Sequence, residues 1–319
     1  MRKIVVQQYG PPEVMQIRHQ NVCRPGPGQI LIRLKAAGVN PVDTYMRTGS
    51  QGYSPSLPFT PGNCGAGIIK ETGEGVIGWE AGMKVYTHGT LDGSYGEYCL
   101  CAPHQVHPLP KELNWYQGAC LGVPYFTAAR AVFTVGRIRK RESVLVHGAS
   151  GAVGLACLQL CAGTNLRVYG TSGSEKGEIQ ITAAGARHFS HNDKNRFAAI
   201  RQANSGGVDL IVEMLANVNL NDDLGLLSPG GRVVIVGSRG KVEISPRDLM
   251  ISESAIRGVR ITNASLREIR GYELLIARKA KEGKVRPPLA RVFSLSNAPD
   301  AHRSLMGERH SGNIVLDIQ

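Results

Sequence analysis

No paired C-x-x-C ladder occurs in this chain of 319 residues, which excludes a structural zinc of the kind such spacing binds. The seven cysteines, Cys23, Cys64, Cys99, Cys101, Cys120, Cys157 and Cys161, are odd in number and read as buried free thiols. Cys157 and Cys161 fall four apart on an expected helix and share a face, where packing is favoured over metal binding. Apolar runs of membrane length are lacking too. Residues 143–166 carry no charge, but four glycines with Ser143, His147, Ser150 and Gln159 divide them into a strand and a helix. The first residues hold a basic pair and a three-residue apolar run, short of a secretory signal core, so the expected location is the cytoplasm. Internal repeats and low-complexity tracts are absent.

What is present suits a soluble globular enzyme: 42% apolar residues, and a length fit for two domains of about 100 to 200 residues each. The formal charge is +12, and residues 255–310 hold 12 basic against 5 acidic side chains. Arg278, Lys279, Lys281, Lys284 and Arg286 crowd together there, as a solvated helix face or as a patch for polyanions such as nucleic acid.

The first 120 residues read as β-rich, with short apolar runs at 3–8, 30–36 and 67–71 between Pro and Gly clusters. Asn40-Pro41 breaks that pattern. Asn is a good N-cap and Pro fits a first helical turn, which predicts a helix over 41–47 with Asp43 facing Arg47 and Tyr45 at the loop-helix corner. From Tyr125 onward helix and strand alternate, which argues for a doubly wound parallel sheet with strands at 143–147, 166–170, 208–213 and 232–236. Residues 266–282 read as a long amphipathic helix, and the apolar run 313–318 as a strand returning to the β-rich part.

Within 144–154 an apolar strand is followed by Gly148, Gly151 and Gly154 at three-residue intervals and then a helix-like run. Glycines let backbone approach a diphosphate, whose charge then rests on amide groups at the positive end of the helix, so this order predicts a dinucleotide. The spacing is G-x-x-G-x-x-G rather than G-x-G-x-x-G. Ligands of such sheets lie beyond the carboxyl ends of the strands, so segments 148–154, 171–176, 215–219 and 237–239 should line one cleft. An NAD site offers a carboxylate at the end of the second strand. Here the corner reads Gly170-Thr171-Ser172-Gly173-Ser174, with Glu175 and Lys176 only afterwards, which favours the 2′-phosphate of NADPH.

These pieces together resemble the medium-chain dehydrogenases/reductases, and within them the zeta-crystallin branch of NADPH:quinone oxidoreductases. The resemblance spans nearly the whole chain and is carried by residues 38–45 (GVNPVDTY), 122–128 (GVPYFTA), 144–155, 213–220 (EMLANVNL) and 230–240 (GGRVVIVGSRG). It implies a GroES-like catalytic domain over 1–124, completed by about 266–319, around a Rossmann domain over 125–265. It also implies a homo-oligomer, a tetramer, and chemistry without zinc: where zinc-dependent relatives carry Gly-His-Glu, this chain has Gly62, Asn63 and Cys64. Its cofactor contacts fall on Tyr45, Ser150, Gly151, Ala152, Val153, Gly173, His191, Asn219, Val236, Gly237, Ser238, Arg239, Val259, Arg260 and Ile261. Lys176 is added for its charge and position.

Hydride delivery from nicotinamide to a quinone needs positioning, exclusion of water and donors for the developing oxyanion. Tyr45 and Tyr53 are candidate hydroxyl donors and Asn40 a candidate amide donor. Each also has a structural reading, as cofactor stacking, loop anchor and helix cap respectively. The rival activity is reduction of 2-alkenal or enone double bonds with the same cofactor. The rival of another class, from the resemblance and the basic surplus, is binding of AU-rich RNA.

Overall fold

The structure, a computed structural model, describes residues 1–308 and 310–318. The chain begins with strands β1 (Arg2–Val6), β2 (Met15–His19) and β3 (Ile30–Val39), helix α1 (Pro41–Thr48), and strands β4 (Cys64–Thr72), β5 (Lys84–Thr87), β6 (Tyr98–Cys101) and β7 (Val106–Pro108). Helices α2 (Trp115–Ala119) and α3 (Gly122–Ala129) lead to an alternation of β8 (Ser143–Val146), α4 (Ala152–Cys161), β9 (Arg167–Ser172), α5 (Glu175–Ala183), β10 (Arg187–Ser190) and α6 (Arg196–Ala203). It continues through β11 (Val208–Glu213), α7 (Ala216–Leu224), β12 (Leu227–Ile235), α8 (Pro246–Ser252), β13 (Ala255–Gly258) and α9 (Leu266–Lys281). The last elements are β14 (Leu289–Ser294), α10 (Ala298–Gly307) and β15 (Asn313–Asp317). No helix among the described residues is long and apolar enough to cross a membrane.

Two compact units result, Met1–Val123 with Arg286–Gln319, and Pro124–Val285. The first is the β-rich GroES-like unit. Its main sheet runs β14-β15-β3-β4-β5-β7, with β6 also on β3, and the last strand β15 lies antiparallel to β3, pairing Ile314 with Val39. Ile30, Ile32 and Leu34 of β3 enter a core with Ile4, Val85, Tyr95 and Leu316, while Arg33 between them is exposed, since successive side chains of a strand point to opposite faces.

The second unit is a Rossmann fold. Its six strands are all parallel, in the order β10-β9-β8-β11-β12-β13. Val208, Leu210, Ile211 and Val212 of β11 are apolar and fully buried because helices cover both faces of such a sheet, and Ile211 packs with Leu145, Val233 and Ile200.

The expected boundary at about 266 differs from the structure, where α9 belongs to the Rossmann unit and the chain crosses over at Arg286. The helix is held there by its buried face. Tyr272 meets Phe126 edge-on at 6.2 Å and Thr134 through its hydroxyl at 2.6 Å, Glu268 pairs with Arg130 at 2.6 Å, and Lys279 Nζ donates to the carbonyl of Ala162 at 2.6 Å. Lys279 is therefore buried, and the basic cluster at 278–286 loses one of its five cations as a solvent-facing group. Cys23 is exposed, unlike the six other cysteines, which are buried.

Candidate active site

The sheet order of the second unit reverses between β8 and β11, and this is where open parallel sheets form a crevice beyond their strand ends. The turn after β8 stands at its edge. Gly148 has φ +60°, a conformation that side chains rarely adopt, and a Cβ on Gly154 would lie 2.5 Å from the Gly148 carbonyl oxygen. Helix α4 can thus start directly against the turn. Its N-cap is Gly151, and no side chain caps it, so the amides of its first turn are left for a ligand. Ser150, Ala152 and Val153 sit on the same turn and first helical residues, and are half-buried.

The other expected contacts follow the remaining strand ends. Gly173 ends β9, and Ser174 caps α5 by accepting the Gly177 N–H at 3.1 Å. Lys176 stands exposed in the first turn of that helix, as does Glu175. The buried Ser172 side chain is engaged by His188 at 2.9 Å. His191 follows β10 with Nε2 2.6 Å from Thr171 Oγ1. Past β11 and β12, Asn217 Oδ1 accepts the Arg239 N–H at 2.7 Å, the Gly237 carbonyl accepts the Ala216 N–H at 3.0 Å, and Ser238 is exposed alongside. This straps the start of α7, the helix that carries Asn219, to the loop after β12 that begins with Val236. Val259, Arg260 and Ile261 continue from β13, whose end is fixed by the Val259 N–H on the Ile235 carbonyl at 3.0 Å. All of these residues share the carboxyl edge of one sheet.

Under that edge lies a cluster whose members the sequence left apart. His147 Nε2 is 2.8 Å from Asp223 Oδ1 and 3.9 Å from Glu213 Oε2, and all three are buried. Glu213 accepts the Leu215 N–H at 2.5 Å and the Asn219 amide at 3.3 Å. Burial pushes the Glu213 carboxyl up to about 7, opposed by His147 and reinforced by Asp223. For His147 burial acts downward, but the two carboxylates win and raise it.

In the first unit, α1 is set by Asn40 and Pro41. Asn40 is the N-cap residue, and its own N–H is held by Asp43 Oδ2 at 2.8 Å while its amide reaches Cys64 Sγ at 3.5 Å. One hydrogen of the Asn40 amide is thereby turned to the core. Asp43 was expected to face Arg47. Its carboxylate instead accepts from Asn63 at 3.0 Å and Tyr95 at 3.2 Å, and Tyr95 also contacts His302 Nε2 at 3.0 Å. Burial pushes Asp43 up to about 6 and lowers His302 to about 3. Tyr45 and Tyr53 are half-buried with ring centroids 6.3 Å apart. Neither lines the cleft of about 530 Å³ formed in this unit by Met46, Phe59, Asn63, Thr90 and Asp92.

Comparison with known proteins agrees with this geometry. Residues 26–111 match the family model of the alcohol dehydrogenase GroES-like domain, and 152–276 that of the zinc-binding dehydrogenases. The mouse quinone oxidoreductase is 43% identical over 99% of this chain and 97% of its own. The chain belongs to the quinone oxidoreductase branch of the medium-chain dehydrogenases/reductases. Among solved structures, an NAD-dependent alcohol dehydrogenase superposes with a TM-score of 0.92 at 26% identity, covering 100% of both chains. A mycobacterial protein solved with NADPH has a TM-score of 0.90 at 24% identity, covering 99% of each chain.

The zinc in one matching family description does not fit the residues here. Asn63 offers Asp43 a donor, and Cys64 takes the Val123 N–H on its sulfur at 2.9 Å with its thiol pushed up to about 12 by burial. An amide and a single thiol fall short of the three or four ligands that zinc takes. Among the described residues, three His, Cys, Asp or Glu side chains with ligand atoms within 4.8 Å of one another occur only at His147, Glu213 and Asp223, in the other unit.

Sequence reasoning missed Asp43 as a hub and the partners of His147. For Asp43 a signal existed: Asp three residues after an Asn N-cap is a capping arrangement, which turns the carboxylate toward the helix start.

Proposed function

We propose that this protein is a zinc-independent oxidoreductase of the cytoplasm that carries hydride from NADPH to quinones, with ortho-quinones the fitting class. The glycine turn with an uncapped helix start carries the dinucleotide part of the reading. The name of the mouse relative supports the acceptor. The structural relatives divide on the cofactor, one described as NAD-dependent and one solved with NADPH, so NADPH rests on the residues after β9. There the buried hydroxyls Thr171 and Ser172 stand where an NAD site carries a carboxylate, and exposed Lys176 offers a cation to a 2′-phosphate. The homotetramer rests on the resemblance.

When bound, the nicotinamide supplies hydride to the acceptor. The protein's own part is to bind and orient: α4 amides for the diphosphate, the loops after β11 and β12 for the remainder, and the Tyr45 and Tyr53 hydroxyls as hydrogen-bond donors to the acceptor oxygen. Asn40 caps the helix that carries Tyr45 and anchors its start through its amide on Cys64. With Asn63 and Cys64 where zinc-dependent relatives carry ligands, oxyanion stabilisation falls to these donors.

Anaerobic stopped-flow oxidation of NADPH on mixing with 9,10-phenanthrenequinone tests this. Fast turnover is expected, slower with NADH, slower again with a 2-alkenal, and unchanged by a zinc chelator. Cofactor binding without turnover of either acceptor would instead favour the RNA-binding reading. Lys176→Ala is expected to weaken NADPH roughly fivefold in a fluorescence titration and to leave NADH unchanged. Equal weakening of both dinucleotides would remove Lys176 from the 2′-phosphate site.

A further inference from the structure

Three buried ionisable groups meet where the sheet order reverses: His147 at the end of β8, Glu213 at the end of β11 and Asp223 on α7. Two of them, Glu213 and His147, are tied outward to cleft segments. Glu213 holds the Leu215 N–H and the Asn219 amide, and so fixes the loop after β11. His147 Nδ1 lies 3.1 Å from Thr171 Oγ1, which also takes the Gly148 N–H at 3.3 Å and contacts His191 Nε2 at 2.6 Å. The glycine turn, the end of β9 and His191 are thus joined through one hydroxyl.

We propose that Glu213, backed by His147 and Asp223, is a positioning residue of the cofactor cleft, and that the charge it carries sets how firmly the cleft holds a dinucleotide. The proposal rests on the dinucleotide reading above.

The chemistry follows from donor counting. Thr171 has one hydroxyl proton and two lone pairs. Gly148 fills one lone pair, so one imidazole donates into the other and the second imidazole receives the hydroxyl proton. With His147 protonated on both nitrogens, it donates to Thr171, which in turn donates to His191 Nε2. When His147 loses its Nδ1 proton, the two bonds reverse and His191 presents its other tautomer. The cluster and the cleft edge are thus joined by one hydrogen-bonded chain.

The groups facing Glu213 are His147 from β8 and Asp223 from α7, with Arg196 of α6 acting on His147. Full ionisation leaves one uncompensated negative charge in a buried space. Protonation of Glu213 removes it and weakens the charge-assisted hold on Leu215 and Asn219. With Glu213 raised to about 7, the loop is firmly held above neutrality and loosened below it. A bound divalent metal is the competing use of this trio. Direct contacts already occupy it, with His147 on Asp223 and the Leu215 and Asn219 donors on Glu213.

The test is fluorescence titration of the intact protein with NADPH and NADH from about pH 5.5 to 8.5, for wild type and Glu213→Gln. NADH removes the ionisation of the 2′-phosphate from the profile. Wild-type affinity for both should rise roughly three- to tenfold through an inflection near neutrality, and Glu213→Gln should bind with that inflection gone. An unchanged inflection in the variant, or a flat wild-type profile, overturns the proposal while leaving the cofactor reading standing. Failure of wild type to bind either dinucleotide overturns the cofactor reading and this proposal with it. Should the variant not fold, ¹³C-resolved side-chain carboxyl spectra of wild type decide: a Glu213 titration step that coincides with the affinity inflection is expected, and an invariant Glu213 carboxyl is contrary. Stoichiometric metal in the purified protein would also overturn the proposal.

Discussion

Gly151→Val is expected to leave the fold intact and to weaken dinucleotide binding by roughly a hundredfold or more, because the loss falls on the ligand alone. Gly151 has φ −76° and ψ 171°, which any residue adopts. An added Cβ there meets only the Gly148 carbonyl oxygen, at 3.4 Å. The space a valine fills is the approach to the free amides of α4. Gly154→Val makes the opposite case. Its Cβ would press on the Gly148 oxygen at 2.5 Å and on Ala149 Cα at 2.6 Å, so the turn itself must shift and stability should fall with binding. Thermal denaturation and NADPH titration of both variants separate these effects. Near wild-type binding by a folded Gly151→Val protein would place the diphosphate elsewhere.

That contrast also indicates which features of the chain can be read from sequence. The strand over 208–213 and the helix beginning at Leu266 are local: a short apolar run at 210–212 in a β-branched setting, and a Ser-x-x-Glu start followed by amphipathic periodicity. The glycine turn is local as well, since its spacing states where backbone must come close. Strands β5, β6 and β7, of 4, 4 and 3 residues, carry no such pattern and exist through their partners in the sheet. The unit to which α9 belongs is equally hidden. It depends on Tyr272 reaching Thr134 and on Lys279 reaching Ala162, 138 and 117 residues away. At the candidate site, strand-end residues such as Gly173 and Asn219 could be placed from the order of strands. The buried network could not, because His147 and Asp223 meet only once the sheet and α7 have formed, 76 residues apart.

Asp43 shows how much stability rests on such a distant meeting. Asp43→Ala is expected to cost about 3 to 5 kcal/mol, because the Asn40 N–H, the Asn63 amide and the Tyr95 hydroxyl lose a common buried acceptor. Asp43→Asn should cost far less. Its carbonyl can replace the oxygen shared by Asn40 and Tyr95, and a half-turn of the Asn63 amide supplies an acceptor for the new NH₂ group. The two carboxyl forms also differ with pH. Burial raises the folded Asp43 from 3.8 to about 6, so the folded state keeps a proton that the unfolded chain gives up. Its contribution is fully present below the unfolded value and is lost as pH rises through the folded one. A shift of this size corresponds to about 3 kcal/mol in all, of which roughly 2 kcal/mol is lost between about pH 4.5 and 7.5. Asparagine has no such proton to lose. Urea unfolding should therefore show Asp43→Asn gaining on wild type by that amount between the two pH values, while Asp43→Ala gains similarly from a much lower start. Equal damage by Asn and Ala at both values would mean that Asp43 acts through its charge, and that the three hydrogen bonds around it contribute little.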